Sequence, residues 1–275
     1  MRFTIGIYKR DINPYAACFS DLAESLACAL RALGHEVVGF QDPGRLIMFG
    51  VNNAHDVAGE MPADAIVFNT EQISSLDDPA GQMSAHEQYK NRVVWDYSRV
   101  NIELLRGLGL RRLVHCPIGY VPEMERIKPV EEDVDVLFYG ALNERRRDLL
   151  IKLEDAGLSV HVVKGIFGRD LDEFIARAKV VLNVHFYERP IFEVVRCSHL
   201  WANKKCVVTE GGGIDEELED LARRCAYRVS YDGLVDACKL LVSNELVRSA
   251  RKERGYELFK KINFVNSVRE ALEGS

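Results

Sequence analysis

The chain has 275 residues, with 36 Lys and Arg against 42 Asp and Glu, a formal net charge of −6, and 47% hydrophobic residues. That length accommodates one large domain or two smaller ones with a proper core, and the acidic balance predicts no binding to a nucleic-acid backbone. The seven cysteines are odd in number and none has C-x-x-C spacing. They read as reduced buried thiols of a cytoplasmic protein, not a disulfide framework. No apolar stretch approaches about 18 residues and no charged n-region precedes a long apolar segment, so neither a transmembrane segment nor a secretory leader is expected.

In chain order, FTIGIY (3–8) is a short β-branched run and predicts a buried strand. The polar loop KRDINPY follows, and then Leu22, Leu26, Leu30 and Leu33 recur at helical spacing, with Gly34 where a C-cap glycine belongs. Residues 37–40 predict a second strand, completing a strand–helix–strand unit of the kind that builds parallel sheets. Strands are expected at 65–69, 92–97 and 111–116, and helices at 83–90 and 99–107. The segment 121–133, rich in proline and charge, predicts a linker.

A second alternation starts after it. Strands are expected at 135–140, 158–163, 180–185, 205–210 and 226–230, with helices at 144–156, 170–178, 191–202 and 215–224 and a helical remainder. The fold class is therefore α/β, with two doubly wound Rossmann-like domains facing across a cleft. The expected boundaries are 1–120, the linker 121–133 and 134–275, with the last helices available to pack back on the N-terminal domain.

Ligands of open parallel sheets bind beyond the carboxyl ends of the strands. The segments there are Lys9–Asn13, Asn69–Gln72, Gly140–Arg147, Lys164–Gly168, His185–Arg189 and Glu210–Gly213. Three consecutive arginines, Arg145 to Arg147, follow Gly140 in the first turn expected for a helix starting near Asn143. That end of a helix disfavours cations. The plain reading is a solvated helix face, with Glu144 offsetting part of the charge. The functional reading is an anion site, because Gly140 permits close approach, helix-terminal N–H groups point at it, and guanidinium forks match phosphate oxygens. Neighbours on a helix diverge by about 100°, so Arg145 and Arg146 are expected at the ligand and Arg147 outward.

Lys164 is a second cation after a strand. Glu210, Gly211 and Gly212 form either a flexible turn or a nest for phosphates and hydroxyls. Glu193 and Arg196, three apart, read as an intrahelical pair or as a ribose-binding carboxylate with its partner. Asp133 and Asp135 precede their strand and read as structural. No Walker A, G-x-S-x-G, G-x-G-x-x-G or metal-ligand spacing occurs in the chain.

Taken together, SDLAESLACALRALGHEVVGF, HCPIGYVPEMERIKP, DVLFYGALNERRRDLL and LDEFIARAKVVLNVHFYERPIFEVVRCSHLWANKKCVVTEGGG resemble, in order and spacing, the two-domain GT-B glycosyltransferases. The resemblance is to the bacterial group 1-like and spore-protein-like members, and it is stronger over 113–213 than over the first hundred residues. It implies transfer of a sugar from a UDP-, GDP- or TDP-sugar to a glycan, lipid-linked, protein or small-molecule acceptor. The donor would be bound mainly by the C-terminal domain, with no metal and no cofactor beyond the donor itself.

The donor-binding residues so implied are Gly140, Asn143, Arg145, Arg146, Lys164, His185, Glu193, Arg196, Glu210, Gly211 and Gly212. The resemblance is incomplete. Retaining members carry two glutamates separated by seven residues, whereas eight positions after Glu193 stands Trp201 and eight after Glu188 stands Arg196. Stereochemistry is therefore left open. An inverting reaction needs a general base, for which Asp11, Glu71 and His86 are the candidates. A sugar-nucleotide epimerase or phosphorylase of the same fold, or a degenerate nucleotide-sugar-binding scaffold, are the alternatives.

Overall fold

The computed structural model describes residues 1–8, 14–51, 61–73, 87, 89–187 and 190–275. The chain divides into two compact units, Met1–Glu123 with Asn263–Ser275, and Met124–Ile262.

The first unit is built on a six-stranded sheet: β1 (Arg2–Ile7), β2 (Glu36–Val38), β3 (Arg45–Phe49), β4 (Ile66–Asn69), β5 (Val93–Asp96) and β6 (Leu113–His115). The order is β2-β1-β3-β4-β5-β6 and every pairing is parallel. β4 and β5 are buried along their whole lengths, as a parallel strand covered on both faces must be. Phe49 stacks on Phe68 at 5.1 Å, and Phe68 meets Trp95 edge-on at 5.8 Å. Helix α1 (Ser20–Ala32) buries Leu22, Leu26, Ala29 and Leu30, and Gly34 follows it at φ +79°. Helix α2 (Arg99–Gly107) is N-capped by Ser98, which accepts from the Asn101 N–H. β3 is absent from the sequence reading although the run RLIMF is bounded by Gly44 and Gly50, which are ordinary strand-boundary signals. The expected helix at 83–90 falls largely outside the described residues.

The second unit contains β7 (Val134–Tyr139), α3 (Glu144–Asp155), β8 (Val160–Val163), α4 (Arg169–Arg177), β9 (Ala178–Asn183), α5 (Val194–Ala202), β10 (Val207–Glu210), α6 (Glu216–Cys225), β11 (Tyr227–Val229), α7 (Leu234–Ser243) and α8 (Glu245–Phe259). Its sheet runs β11-β10-β9-β7-β8, again all parallel. β7 therefore lies between β8 and β9, and the strand order reverses there. One face of the sheet packs Val136, Phe138, Val180 and Leu182 against Leu149, Leu153, Leu234 and Leu241. Elsewhere Phe192 stacks on Trp201, and Phe259 meets Trp201 at a tilt of 51°, with centroids 5.7 Å apart in each pair.

The segment from Met124 onward is held by this second unit. Asn203 Oδ1 accepts the backbone N–H groups of Arg126 and Ile127, and Arg126 pairs with Asp172 at 2.7 Å. Asp133 pairs with Arg177 and Asp135 with Lys179, so both acids serve the fold. The last helix, α9 (Phe264–Glu273), belongs to the first unit, where it packs on α1. All seven cysteines are free and five are buried. No helix among the described residues is long and apolar enough to cross a membrane.

Helices α6 and α8 approach closely at Gly255, where a Cβ would stand 2.6 Å from the Cys225 carbonyl oxygen and 3.3 Å from Trp201 Cδ1. Alanine in a helix interior ordinarily gains about 1 kcal/mol over glycine, whereas forcing a methyl into a packed contact costs about 1–3 kcal/mol. Because the nearest atom here is backbone and cannot swing away, Gly255→Ala is expected to destabilise the second unit by about 1 kcal/mol or more in urea denaturation. A rise in stability would contradict this packing.

Candidate functional site

The site grows from the reversal of strand order in the second unit, between β7 and β9, where α/β sheets open a crevice at the strands' carboxyl ends. β7 ends at Gly140, whose φ of +131° suits glycine. A Cβ there would meet Arg196 Nη2 at 2.9 Å. Asn143 caps α3 by accepting the Arg146 N–H at 3.0 Å, and its amide donates to the Phe186 carbonyl at 3.1 Å. One residue thus fixes the helix start and ties it to the loop after β9.

The three arginines have three different fates. Arg145 forks onto both carboxylate oxygens of Glu210, one contact at 2.6 Å, and its guanidinium lies 3.9 Å above the Tyr231 ring. The Tyr231 hydroxyl donates to the Arg145 carbonyl at 2.7 Å. This hydrogen-bonded pairing with Glu210 raises the Arg145 pKa. The Arg145 side chain is still 41% exposed, so it faces the crevice.

Arg146 differs from the sequence expectation. It is 3% exposed and turns inward, donating to the carbonyls of Val184 (Nε, 3.0 Å) and Ala141 (2.7 Å), with Glu193 Oε1 3.9 Å away. Burial, with Arg196 repulsion behind it, pushes its pKa down to about 10, which leaves it charged at neutral pH. The reason is helical phase: residue 146 lies three, four and seven positions before Leu149, Leu150 and Leu153, all buried. Arg147 is exposed, as predicted.

Beyond β9 a polar knot forms around Asn183. Its amide donates to Glu193 Oε2 at 2.9 Å and to Thr209 Oγ1 at 3.1 Å, and its carbonyl oxygen accepts Arg196 Nη1 at 3.1 Å. Glu193 and Arg196 therefore meet through Asn183. The expected helix at 191–202 starts only at Val194, because Glu193 is its N-terminal flank and turns back to His185 Nδ1 at 3.0 Å. Burial opposes charging of both partners. The His185 hydrogen bond nevertheless holds the Glu193 pKa well down, and the Glu193 bond, with Glu193, Glu210 and Glu219 nearby, leaves the His185 pKa raised.

β10 ends in Glu210, 2% exposed, which also accepts the His185 N–H at 2.7 Å. The three glycines after it do not form an open nest. Glu219 Oε1 accepts the Gly213 N–H at 3.0 Å, and Glu219 also pairs with Arg228. A Cβ on Gly213 would stand 2.5 Å from Glu219, so the chain's own carboxylate occupies the position foreseen for a phosphate.

A cavity of about 740 Å³ opens at this crevice, inside the range of about 300–1,000 Å³ usual for small-molecule sites. Of the sequence candidates, Asn143, Arg145, His185, Glu210, Gly211 and Gly212 line it. Among the described residues, Gly140, Arg146, Lys164, Glu193 and Arg196 are not in its wall. Lys164 is exposed after β8, the edge strand on the far side of β7 from the crevice. Tyr231, just past β11, and Lys152, on α3, line the cavity and were not foreseen. Lys152 carried a signal, lying seven positions after Arg145 on the same helix face. Tyr231 also carried one, standing just after the expected strand 226–230, although its pairing with Arg145 depends on the sheet order.

In the first unit, Glu71 follows β4. Its N–H donates to Asn69 Oδ1 at 3.2 Å and its carbonyl accepts Asn101 Nδ2 at 2.7 Å. Asp11 and His86 lie outside the described residues. No cluster of three or more His, Cys, Asp or Glu suited to a metal occurs among the described residues.

No protein-family model matches the chain. Two uncharacterized proteins of Acanthamoeba polyphaga mimivirus are similar to it: L137, 26% identical over 214 residues (72% of this chain), and L138, 24% identical over 177 residues (60%). These matches take in 28% and 18% of the relatives' own lengths, so the chain spans less than a third of the curated relatives it matches.

Among solved structures, Anabaena HepE in complex with UDP and glucose is similar at a TM-score of 0.67, with 11% identity over 99% of this chain and 98% of that one. WaaG, a glycosyltransferase involved in lipopolysaccharide biosynthesis, is similar at 0.61, with 11% identity and 98% of each chain covered. T4 phage BGT in complex with UDP-glucose is similar at 0.58, with 13% identity over 99% of this chain and 98% of that one. The chain has the GT-B fold, two doubly wound parallel α/β domains.

Proposed function

We propose that the chain is a glycosyltransferase that takes its sugar from a nucleotide donor, a UDP-sugar foremost, bound in the crevice between β7 and β9. The observation that supports this most is Arg145. It is a half-exposed guanidinium in the first turn of α3, on a cavity of suitable size at the reversal of strand order. The fold is shared with HepE and BGT, whose structures hold UDP or UDP-glucose. GDP- and TDP-sugars are the next donors to test.

The chemistry follows from charge. Departure of a nucleoside diphosphate develops negative charge on the leaving oxygen, which preorganised cations and helix N–H groups stabilise. Here the fork of Arg145 transfers from Glu210 to the phosphate oxygens, and Glu210 is freed to accept hydroxyls of the donor. Asn143, through the capped α3 N-terminus, holds the remaining donors in place. Arg146, Glu193, Asn183 and Arg196 support this wall from beneath. An acceptor on the first unit would lose its proton to a carboxylate there, with Glu71 the described candidate.

A binding-only role is the second reading. Glu210 on Arg145 and Glu219 on the Gly213 N–H mean that both anion-receiving groups already hold carboxylates. A thermal-shift screen of UDP-, GDP- and TDP-sugars, followed by assay of donor hydrolysis, separates the readings. The enzyme reading expects stabilisation by one donor class together with slow hydrolysis of that donor. Stabilisation without any turnover leaves the scaffold, and no stabilisation by any donor contradicts both.

A further inference from the structure

Resting on the nucleotide-donor reading, the geometry points to His185 as a proton-coupled anion contact: binding of the diphosphate takes up a proton at Nε2, which then donates to a phosphate oxygen.

The imidazole is held from one side only. Nδ1 lies 3.0 Å from Glu193 Oε2. A carboxylate accepts, so Nδ1 carries the hydrogen. The same carboxylate oxygen also accepts from Asn183, and the backbone N–H of His185 is fixed on Glu210. Ring and tautomer are thereby set. The other nitrogen, Nε2, is buried and has no hydrogen-bond partner among the described residues, in a side chain only 3% exposed that belongs to the wall of the cavity. A buried polar atom without a partner is costly and calls for an explanation. A ligand oxygen supplies one.

The surroundings decide whether Nε2 donates or accepts. The groups acting on His185 are Glu193 ahead of α5, Glu210 at the end of β10 and Glu219 on α6, with Arg145 of α3 beside its carbonyl and Arg146 of α3 and Arg196 of α5 behind Glu193. Arg145 is paired with Glu210, and both Arg146 and Arg196 approach Glu193. Burial works against the charged imidazole, but the carboxylates outweigh it and leave the His185 pKa raised. An incoming diphosphate adds negative charge beside Nε2 and draws the remaining protons on. This charge is additional to Arg145, which has to be won back from Glu210.

The test is calorimetry of pyrophosphate, and separately of UDP, in two buffers of different ionisation enthalpy at a pH of about 8, above the ordinary histidine pKa of about 6.5. Wild type is compared with His185→Gln, which keeps a donor but cannot titrate. Subtracting the two removes the ligands' own protonation. The expected result is proton uptake by wild type that the variant lacks, and affinity for wild type that falls as pH rises through the His185 pKa, by about tenfold, while the variant stays flat. Should the variant fail to fold, ¹⁵N NMR of the wild-type imidazole with and without pyrophosphate reads the same event as an upward pKa movement.

Equal uptake in both proteins, an unmoved imidazole, or no anion binding at all would overturn the inference. Uptake with pyrophosphate while UDP binds no more tightly would sustain the inference and remove the donor reading. Tight UDP binding without histidine-dependent uptake would do the reverse.

Discussion

Arg146→Ala is expected to destabilise the second unit by about 3–5 kcal/mol, the cost of removing one partner from a buried charged network. The guanidinium is 3% exposed and bridges the Val184 and Ala141 carbonyls beside Glu193. Its loss strands two carbonyl oxygens and weakens the compensation of a buried carboxylate. Arg146→Lys cannot reach both carbonyls with one ammonium, so it is expected to restore only part of the loss. Arg147→Ala, on the exposed face, is expected to stay within about 0.5 kcal/mol of wild type. Urea denaturation of the three variants checks the order. If Arg146→Ala were as mild as Arg147→Ala, the inward orientation would be wrong.

The second large effect is on binding. Removing a charged hydrogen bond to a ligand costs about 1.5–3 kcal/mol, or roughly 10–100-fold, so Arg145→Ala is expected to weaken UDP by that factor and leave uridine unchanged. Glu210→Gln acts in the opposite sense on a bare anion. It removes the carboxylate that holds the Arg145 fork, so pyrophosphate is expected to bind more tightly. UDP-glucose gains less, because the amide is a poorer acceptor for its hydroxyls. Calorimetry of the three ligands against both variants resolves these signs. Tighter pyrophosphate binding by Arg145→Ala would show that the guanidinium is a latch for Glu210 and no phosphate contact.

The alternation of apolar runs and helical patterns made both parallel sheets legible, and Gly34 and Asn143 marked two helix ends in their own right. β3 was also legible: RLIMF between Gly44 and Gly50 is a short buried run with glycine at each end. At the site, position after a strand found Arg145, His185 and Glu210, because the fold puts every such loop on one edge. It misled for Lys164, because strand order is not written in local sequence and β8 proved to be the edge strand. The inward turn of Arg146 was recoverable from its spacing to Leu149, Leu150 and Leu153. What could not be read was long-range charge pairing. Glu210 reaches Arg145 across 65 residues, and Glu219 fills the glycine nest from the next helix. Composition and spacing hold no record of either.

The central claim is that the crevice between β7 and β9 holds a nucleoside diphosphate. Calorimetric titration of the whole chain with UDP and with uridine tests it most directly. The account predicts one UDP per chain, bound at least about tenfold more tightly than uridine, since Arg145 and the α3 N-terminus act on phosphate alone. UDP binding no tighter than uridine, or no binding of UDP, GDP or TDP, would contradict it.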